Sequence, residues 1–250
     1  TVMIHAYHNN PMHTYEFNEF TKEVGYINTS AKGRDWGNTP INDVRRLPGG
    51  EIFDAAEFGS KIAMVPDEQR SEVAQSTMAE IFSYALARGV KVNFAIDIDM
   101  PLAFLKNTMV QSIPEEEKFH LTKADIWIPL PDKPKGYDFY KAQLEGLLSS
   151  YPMLEDISFF RRGASFFRDA SLKELPEKWQ EEFNSGMKQN PKLGALDQKE
   201  VISSFITAKL VAGYQQILKD LGREDIVLGT GSWNHYFVVP TAAFLPEDIK

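Results

Sequence analysis

The sequence predicts an α/β chain: a (β/α)8 TIM barrel or part of one, with long loops at the C-terminal ends of its strands. Three observations predict it. A unit of helix, short turn, strand and long excursion recurs three times. Turns from helix into strand take a few residues, whereas the segments from strand to the next helix exceed roughly thirty. No G-x-G-x-x-G turn follows any strand, which removes the main signature of an open dinucleotide-binding sheet. Alternating helix and strand implies parallel strands joined by right-handed crossovers. Every long segment then lies at the edge where such folds build their sites.

The elements follow in order. Residues 2–7 (VMIHAY) form a short strand running into His8-Asn9-Asn10-Pro11. Residues 9–51 are rich in Gly, Asn, Asp and Pro, with aromatics interspersed, and residues 53–65 carry no clear period. Residues 67–88 form a helix: Val73, Thr77, Ile81, Ala85 and Leu86 make an apolar stripe, Pro66 and Asp67-Glu68 suit its start, and Gly89 its stop. The strand over residues 90–99, VKVNFAIDID, alternates cleanly and ends at Met100-Pro101. A long connection over residues 100–135 carries Trp127. A helix over 137–151 is stopped by Pro152, and a strand over 156–161 (DISFFR) leads into Arg162-Gly163. After an excursion with Trp179 in a short helix, residues 197–221 form the third helix. Asp197 is its N-cap, Glu200 completes a capping-box pattern, and Gly222 is its stop. The last strand, 225–229, opens into Thr230-Gly231-Ser232-Trp233-Asn234-His235. Four good strands are visible where a closed barrel needs eight.

Composition excludes several function classes. The chain has 250 residues, 43% of them hydrophobic and 25% charged, which are ordinary globular values. A net charge of −8 without a Lys/Arg block speaks against nucleic-acid and anionic-membrane partners. No apolar run approaches the roughly 18 residues of a membrane span. The absence of cysteine removes disulfides and thiolate metal sites. The opening residues carry no signal-peptide pattern. Residues 1–250 read as a single barrel-like domain. Its start without methionine and its stop just after an unfinished segment predict a piece of something longer.

The candidate site residues are those delivered to strand ends. Asp97 and Asp99 stand two apart on one strand and therefore on one face, about 6–7 Å apart at Cα. Carboxylates that close raise each other's proton affinity, the division of labour general acid–base chemistry uses. Capping a turn or pairing with Arg161 or Arg162 is the plainer role for them. His8, Asn9 and Asn10 offer hydrogen bonds to substrate hydroxyls. His5 and His8 stand three apart, on opposite sides of a strand, and converge on a metal only if the strand ends between them; no metal ligand is expected. Arg161 and Arg162 end an apolar strand, where guanidinium groups would bind an anionic substituent or neutralise the two acids; both readings place Arg161 near them. Trp233 and His235 follow two glycines, and Trp36 sits within GRDWGN. An indole at the rim of an acidic cleft is a platform for a sugar ring. No G-x-S-x-G elbow, P-loop, H-E-x-x-H or C-x-x-C is present.

The stretch ALARGVKVNFAIDIDMPLA, residues 85–103, resembles a segment of TIM-barrel glycoside hydrolases, with the β-hexosaminidase group the nearest case. There a helix ending in A-R-G leads into a strand carrying an acid and a Met-Pro pair. The resemblance covers about 20 residues. Leu102-Ala103 replace the Gly-His that follows that family's proline, and Arg161-Arg162-Gly163 stand where it carries a catalytic Asp-Glu pair. What the resemblance implies is a carbohydrate-active barrel of the sort bacteria use on polysaccharides, periplasmic or extracellular. It would work without a cofactor, with two carboxylates from different strand ends, the second beyond Lys250. The expected function is hydrolysis of glycosidic bonds in an oligo- or polysaccharide. The competitors are a metal-dependent hydrolase using His5, His8 and Asp97, and a non-catalytic carbohydrate-binding barrel.

Overall fold

A computed structural model of the chain describes residues 1–6, 12–21, 67–98, 109–161, 166–232, 235–246 and 249. Its centre is a four-stranded sheet of β1 (Val2–Ala6), β4 (Val92–Asp97), β7 (Asp156–Arg161) and β8 (Val227–Ser232), in that spatial order and all parallel. Helices α1 (Asp67–Leu86) and α2 (Pro134–Ser150) connect the first three of these strands in turn. Helices α3 (Glu177–Gln189) and α4 (Gln198–Asp220) lie between β7 and β8, and α5 (His235–Phe244) follows β8. Two hairpins, β2 (Glu16–Phe17) with β3 (Phe20–Thr21) and β5 (Lys118–Leu121) with β6 (Ile126–Pro129), lie within the excursions. Among the described residues the sheet does not close: β1 and β8 each have a partner on one side only.

Spatial order follows chain order, so each right-handed crossover places its helix on the same face. The aromatic contacts agree. Phe94 of β4 packs against Phe82 of α1 at 6.4 Å and stacks on Tyr151, just after α2, at 5.3 Å. Phe159 of β7 stacks on Tyr214 of α4 at 4.3 Å. The register sets Phe94 beside Ile157 and Ile96 beside Phe159, so these residues share one face, the helix face. Asn93, Ala95 and Asp97 alternate onto the other. All six β4 side chains are buried, as expected of a central parallel strand.

Two of the three tight helix-to-strand turns are the same device. Gly89, at φ +71°, lets the Val90 N–H bond to the Ala85 carbonyl. Gly222, at φ +68°, does so for Arg223 and Leu218. Each is a Schellman closure, which needs a left-handed residue that glycine fills without a Cβ penalty. After α2 the stop is Pro152, which cannot continue a helix.

Several sequence expectations are corrected. The last strand starts at Val227 and runs on to Ser232, so Thr230, Gly231 and Ser232 are ladder residues and not the start of a loop. Helix α5 was not expected, because Pro240 lies inside it. Phe237 is nonetheless buried, and Phe244 stacks on Phe183 at 5.7 Å. Asp197 caps α4 by accepting the Lys199 N–H at 3.0 Å, but Glu200 completes no capping box: its carboxylate turns to Arg161. Trp179 does lie in a short helix, α3, as expected, and is core, edge-on to Phe119 and Phe205.

Candidate functional site at the C-terminal edge of the sheet

Each strand of the parallel sheet ends at the same edge, and the strand-to-helix segments all leave from it. On the face away from the helices the register aligns side chains in rows. The uppermost row sets Asp97 of β4 beside Phe160 of β7, and Phe160 beside Gly231 of β8. Neighbouring strands are about 4.8 Å apart, so Asp97 and Phe160 are adjacent on one face. Asp97 is wholly inaccessible and Phe160 is half-buried. One row down come Ala95, Ser158 and Gly229. The amide of Asn93, lower still on β4, donates to Ser158 Oγ at 2.9 Å and locks the two central strands together.

Arg161 is not part of this row. It is one residue past Phe160 and alternates to the helix face. Its Nη1 donates to Ser204 Oγ of α4 at 3.3 Å, and its Nη2 lies 3.6 Å from Glu200 Oε2. The guanidinium carbon stands 3.6 Å over the ring of Phe237 on α5, and the residue is only 2% exposed. Arg161 therefore faces away from Asp97, while Asp99 is outside the described residues. Arg161 joins β7 to α4 and α5, and strand alternation is the physical reason. Burial pushes the Glu200 carboxyl above its usual range, while Arg161 and Arg168, 3.9 Å away, pull it back. A close ion pair alone would lower it; here the loss of hydration outweighs the attraction.

Of the other expected site residues, Asp99, His8, Asn9, Asn10, Trp36, Arg162 and Trp233 lie outside the described residues. His235 is the first residue of α5. His5 holds the register position opposite Ala95, one row below Asp97. Among the described residues no group of three or more His, Asp and Glu is placed to hold a metal ion. Nor, among them, is any helix long and apolar enough to cross a membrane.

Two clefts lie away from Asp97. One, of about 360 Å³, sits at the start of α4 among Lys123, Arg168, Asp169, Lys199 and Glu200. Its charges pair among themselves, Lys123 with Asp169 at 2.6 Å and Lys199 with Asp169 at 3.8 Å. The other, of about 290 Å³, flanks the beginning of β8 beside Lys219, Arg223 and Val227, at the opposite edge of the sheet from Asp97.

Reading the residues alone missed Phe160 and Ser158. In DISFFR the residues before Arg161 and Arg162 are mostly apolar, and the charged end of the strand outweighs them as a sequence signal. The signal was the alternation itself, which sets Ser158 and Phe160 on one face and Phe159 and Arg161 on the other. No family model, curated protein or solved structure matches this chain significantly.

Proposed function

We propose that this chain is a carbohydrate-active enzyme of the glycoside-hydrolase type, built on a barrel-like βα array. It would cleave glycosidic bonds by carboxylate acid–base chemistry. One observation carries the reading: a carboxylate, Asp97, ends the central strand on the face away from the helices, beside a half-buried aromatic ring. Sequential parallel strands, helices on one face and long segments at one edge are what a singly wound barrel requires. That edge is where a barrel places its reacting groups.

In this reading Asp97 and Asp99 supply the acid–base pair or ligate sugar hydroxyls. His8, Asn9, Asn10 and His235 hold further hydroxyls, and Trp36 and Trp233 stack on rings. Arg162 recognises an anionic substituent. Arg161 leaves the substrate list, since its guanidinium is engaged by Glu200, Ser204 and Phe237. Two carboxyl groups about 5 Å apart would give retention, and about 6.5–9.5 Å inversion. The test is Asp97→Asn, which keeps the shape and removes the ionisable group. Loss of reducing-sugar release with unchanged thermal unfolding supports the reading; near-normal turnover removes Asp97 from the mechanism.

A specific observation favours a second reading, a carbohydrate-binding protein without turnover: Asp97 is wholly inaccessible. Glycan binding without any product on prolonged incubation would favour it over the enzyme.

A further inference from the structure

β1 with α1 and β8 with α5 are the units at the two ends of the described sheet. Both ends carry apolar side chains turned outward. At one, Met3 of β1 is 53% exposed, and Ile81 and Tyr84 of α1 are exposed beside it in the same unit. At the other, Val227 of β8 is 43% exposed, as are Val238 and, at 66%, Val239 of α5. Among the described residues, Phe20 on β3 is the one exposed large hydrophobic that lies on neither end. Scattered apolar exposure is ordinary; exposure gathered at both ends of one sheet marks an interaction surface.

The helix flanks agree. Ser150 of α2 donates to Gln75 of α1 at 3.0 Å, so the Gln75 flank of α1 faces α2. Ala74, Met78, Phe82 and Ala85 form the buried stripe of α1. At 3.6 residues per turn, Ile81 and Tyr84 fall on the far side of that stripe, away from α2. Arg88 covers one face of the Tyr84 ring at 3.4 Å, and the residue stays exposed. On α5, Phe244 packs on Phe205 of α4 at 5.2 Å and Phe237 is buried, whereas Val238 and Val239 turn to the other side. In the sheet, one register row runs Met3, Asn93, Asp156, Val227. Asn93 inside it is buried and both end members are open, as in a row that stops short.

Resting on the barrel-like array proposed above, and not on its chemistry, we infer that the chain pairs with a second copy of itself, end to end at both ends. A two-fold axis parallel to the strands keeps every strand parallel. It sets β8 of each copy beside β1 of the other and α5 beside α1. Eight strands then surround the axis, the number of a closed (β/α) barrel, and neither edge is left open. A different partner would have to offer two matching edges, one for each end; this chain carries both. The outward side chains at the two ends offer on the order of 600 Å² of apolar surface per chain; at the roughly 65% apolar share of homodimer interfaces that implies about 900 Å² buried, against the roughly 800 Å² per partner of a standard stable interface.

The experiment is sedimentation velocity of the full chain from about 0.1 to about 100 µM. The native chain should reach twice its 28.4 kDa. Tyr84→Glu and Val239→Lys each put a charge into a junction and should raise the dissociation constant at least about tenfold, while Phe20→Lys leaves it unchanged. Matching far-UV circular dichroism shows that each variant is folded. Mixed in equal amounts, Tyr84→Glu and Val239→Lys should form a mixed dimer, because one of its two junctions is unaltered. A native chain that stays at single mass throughout refutes the pairing and leaves the carbohydrate reading to its own product assay. Mass that grows past two copies refutes the two-fold closure. A native dimer that both junction variants leave intact, or that Phe20→Lys weakens equally, refutes the two ends as its interface. Absence of a mixed dimer refutes the end-to-end arrangement.

Discussion

Replacing Arg161 with alanine should be among the most damaging single changes in the molecule. The guanidinium is 2% exposed and faces Glu200 at 3.6 Å, and that carboxylate is itself only 20% exposed. Removing one partner of a buried pair costs about 3–5 kcal/mol, because the other charge is left uncompensated. The lower end applies here, since Arg168 remains 3.9 Å from Glu200 and part of the carboxylate reaches solvent. Loss of the contact with Phe237, at 3.6 Å, adds about 1 kcal/mol. Arg161→Ala should therefore lose about 4 kcal/mol, a large part of the roughly 5–15 kcal/mol that holds a typical domain folded. Urea unfolding at pH 7, followed by far-UV circular dichroism, measures it. The double variant Arg161→Met/Glu200→Leu removes both charges and should lie within about 1–2 kcal/mol of the native chain, well short of the sum of the two single losses. A loss below about 1 kcal/mol with no coupling is the behaviour of an exposed pair. It would refute the placement of Arg161 between β7, α4 and α5 and return it to the candidate substrate ligands.

Three further outcomes follow from particular contacts. Burial holds the Glu200 carboxyl above its usual range, so folding favours its protonated form. Its contribution is fully present below the unfolded value near about 4.3 and is lost as pH rises through the raised folded value. Thermal scans from pH 4 upward should show Glu200→Gln losing less stability across that window than the native chain, and Arg161→Met losing more; parallel curves would contradict the burial of this carboxyl. Gly222→Ala places a Cβ at φ +68° with nothing within 4 Å to clash, so denaturation should record the backbone penalty alone, about 1–2 kcal/mol. Ser158→Ala strands the buried amide of Asn93, now 2.9 Å from the hydroxyl, and should cost about 1–3 kcal/mol by the same assay.

Periodicity made the sheet and the long helices legible. Val92, Phe94 and Ile96 alternate as a strand must, and β7 runs over the residues that DISFFR spans. Gly89 and Gly222 mark helix stops because a left-handed turn leaves a residue signature. What sequence could not supply was register. Arg161 was assigned to the acids because both end strands, but the pairing of Asp97 with Phe160 fixes which neighbour shares its face, and Arg161 is one position off. The same alternation hid Phe160 behind its more conspicuous charged neighbour. Glu200 had the right spacing for a capping box, yet a buried guanidinium within reach outcompeted a solvent-facing backbone N–H. The β2–β3 hairpin escaped notice because Asn18 and Glu19 both take positive φ without a glycine to announce the turn. Helix α5 was obscured by Pro240, tolerated because Phe237 and Phe244 anchor the helix on either side of it.

The placement of a carbohydrate-cleaving carboxylate at the end of β4 is tested most directly by product analysis. The native chain and Asp97→Asn are incubated in parallel with cello-, xylo-, manno- and chito-hexaose and with the corresponding polysaccharides, and the products are resolved by chromatography. Shorter oligosaccharides from the native chain, and none from an Asp97→Asn variant that unfolds at the same temperature, is the predicted result. Cleavage by both at the same rate would contradict it.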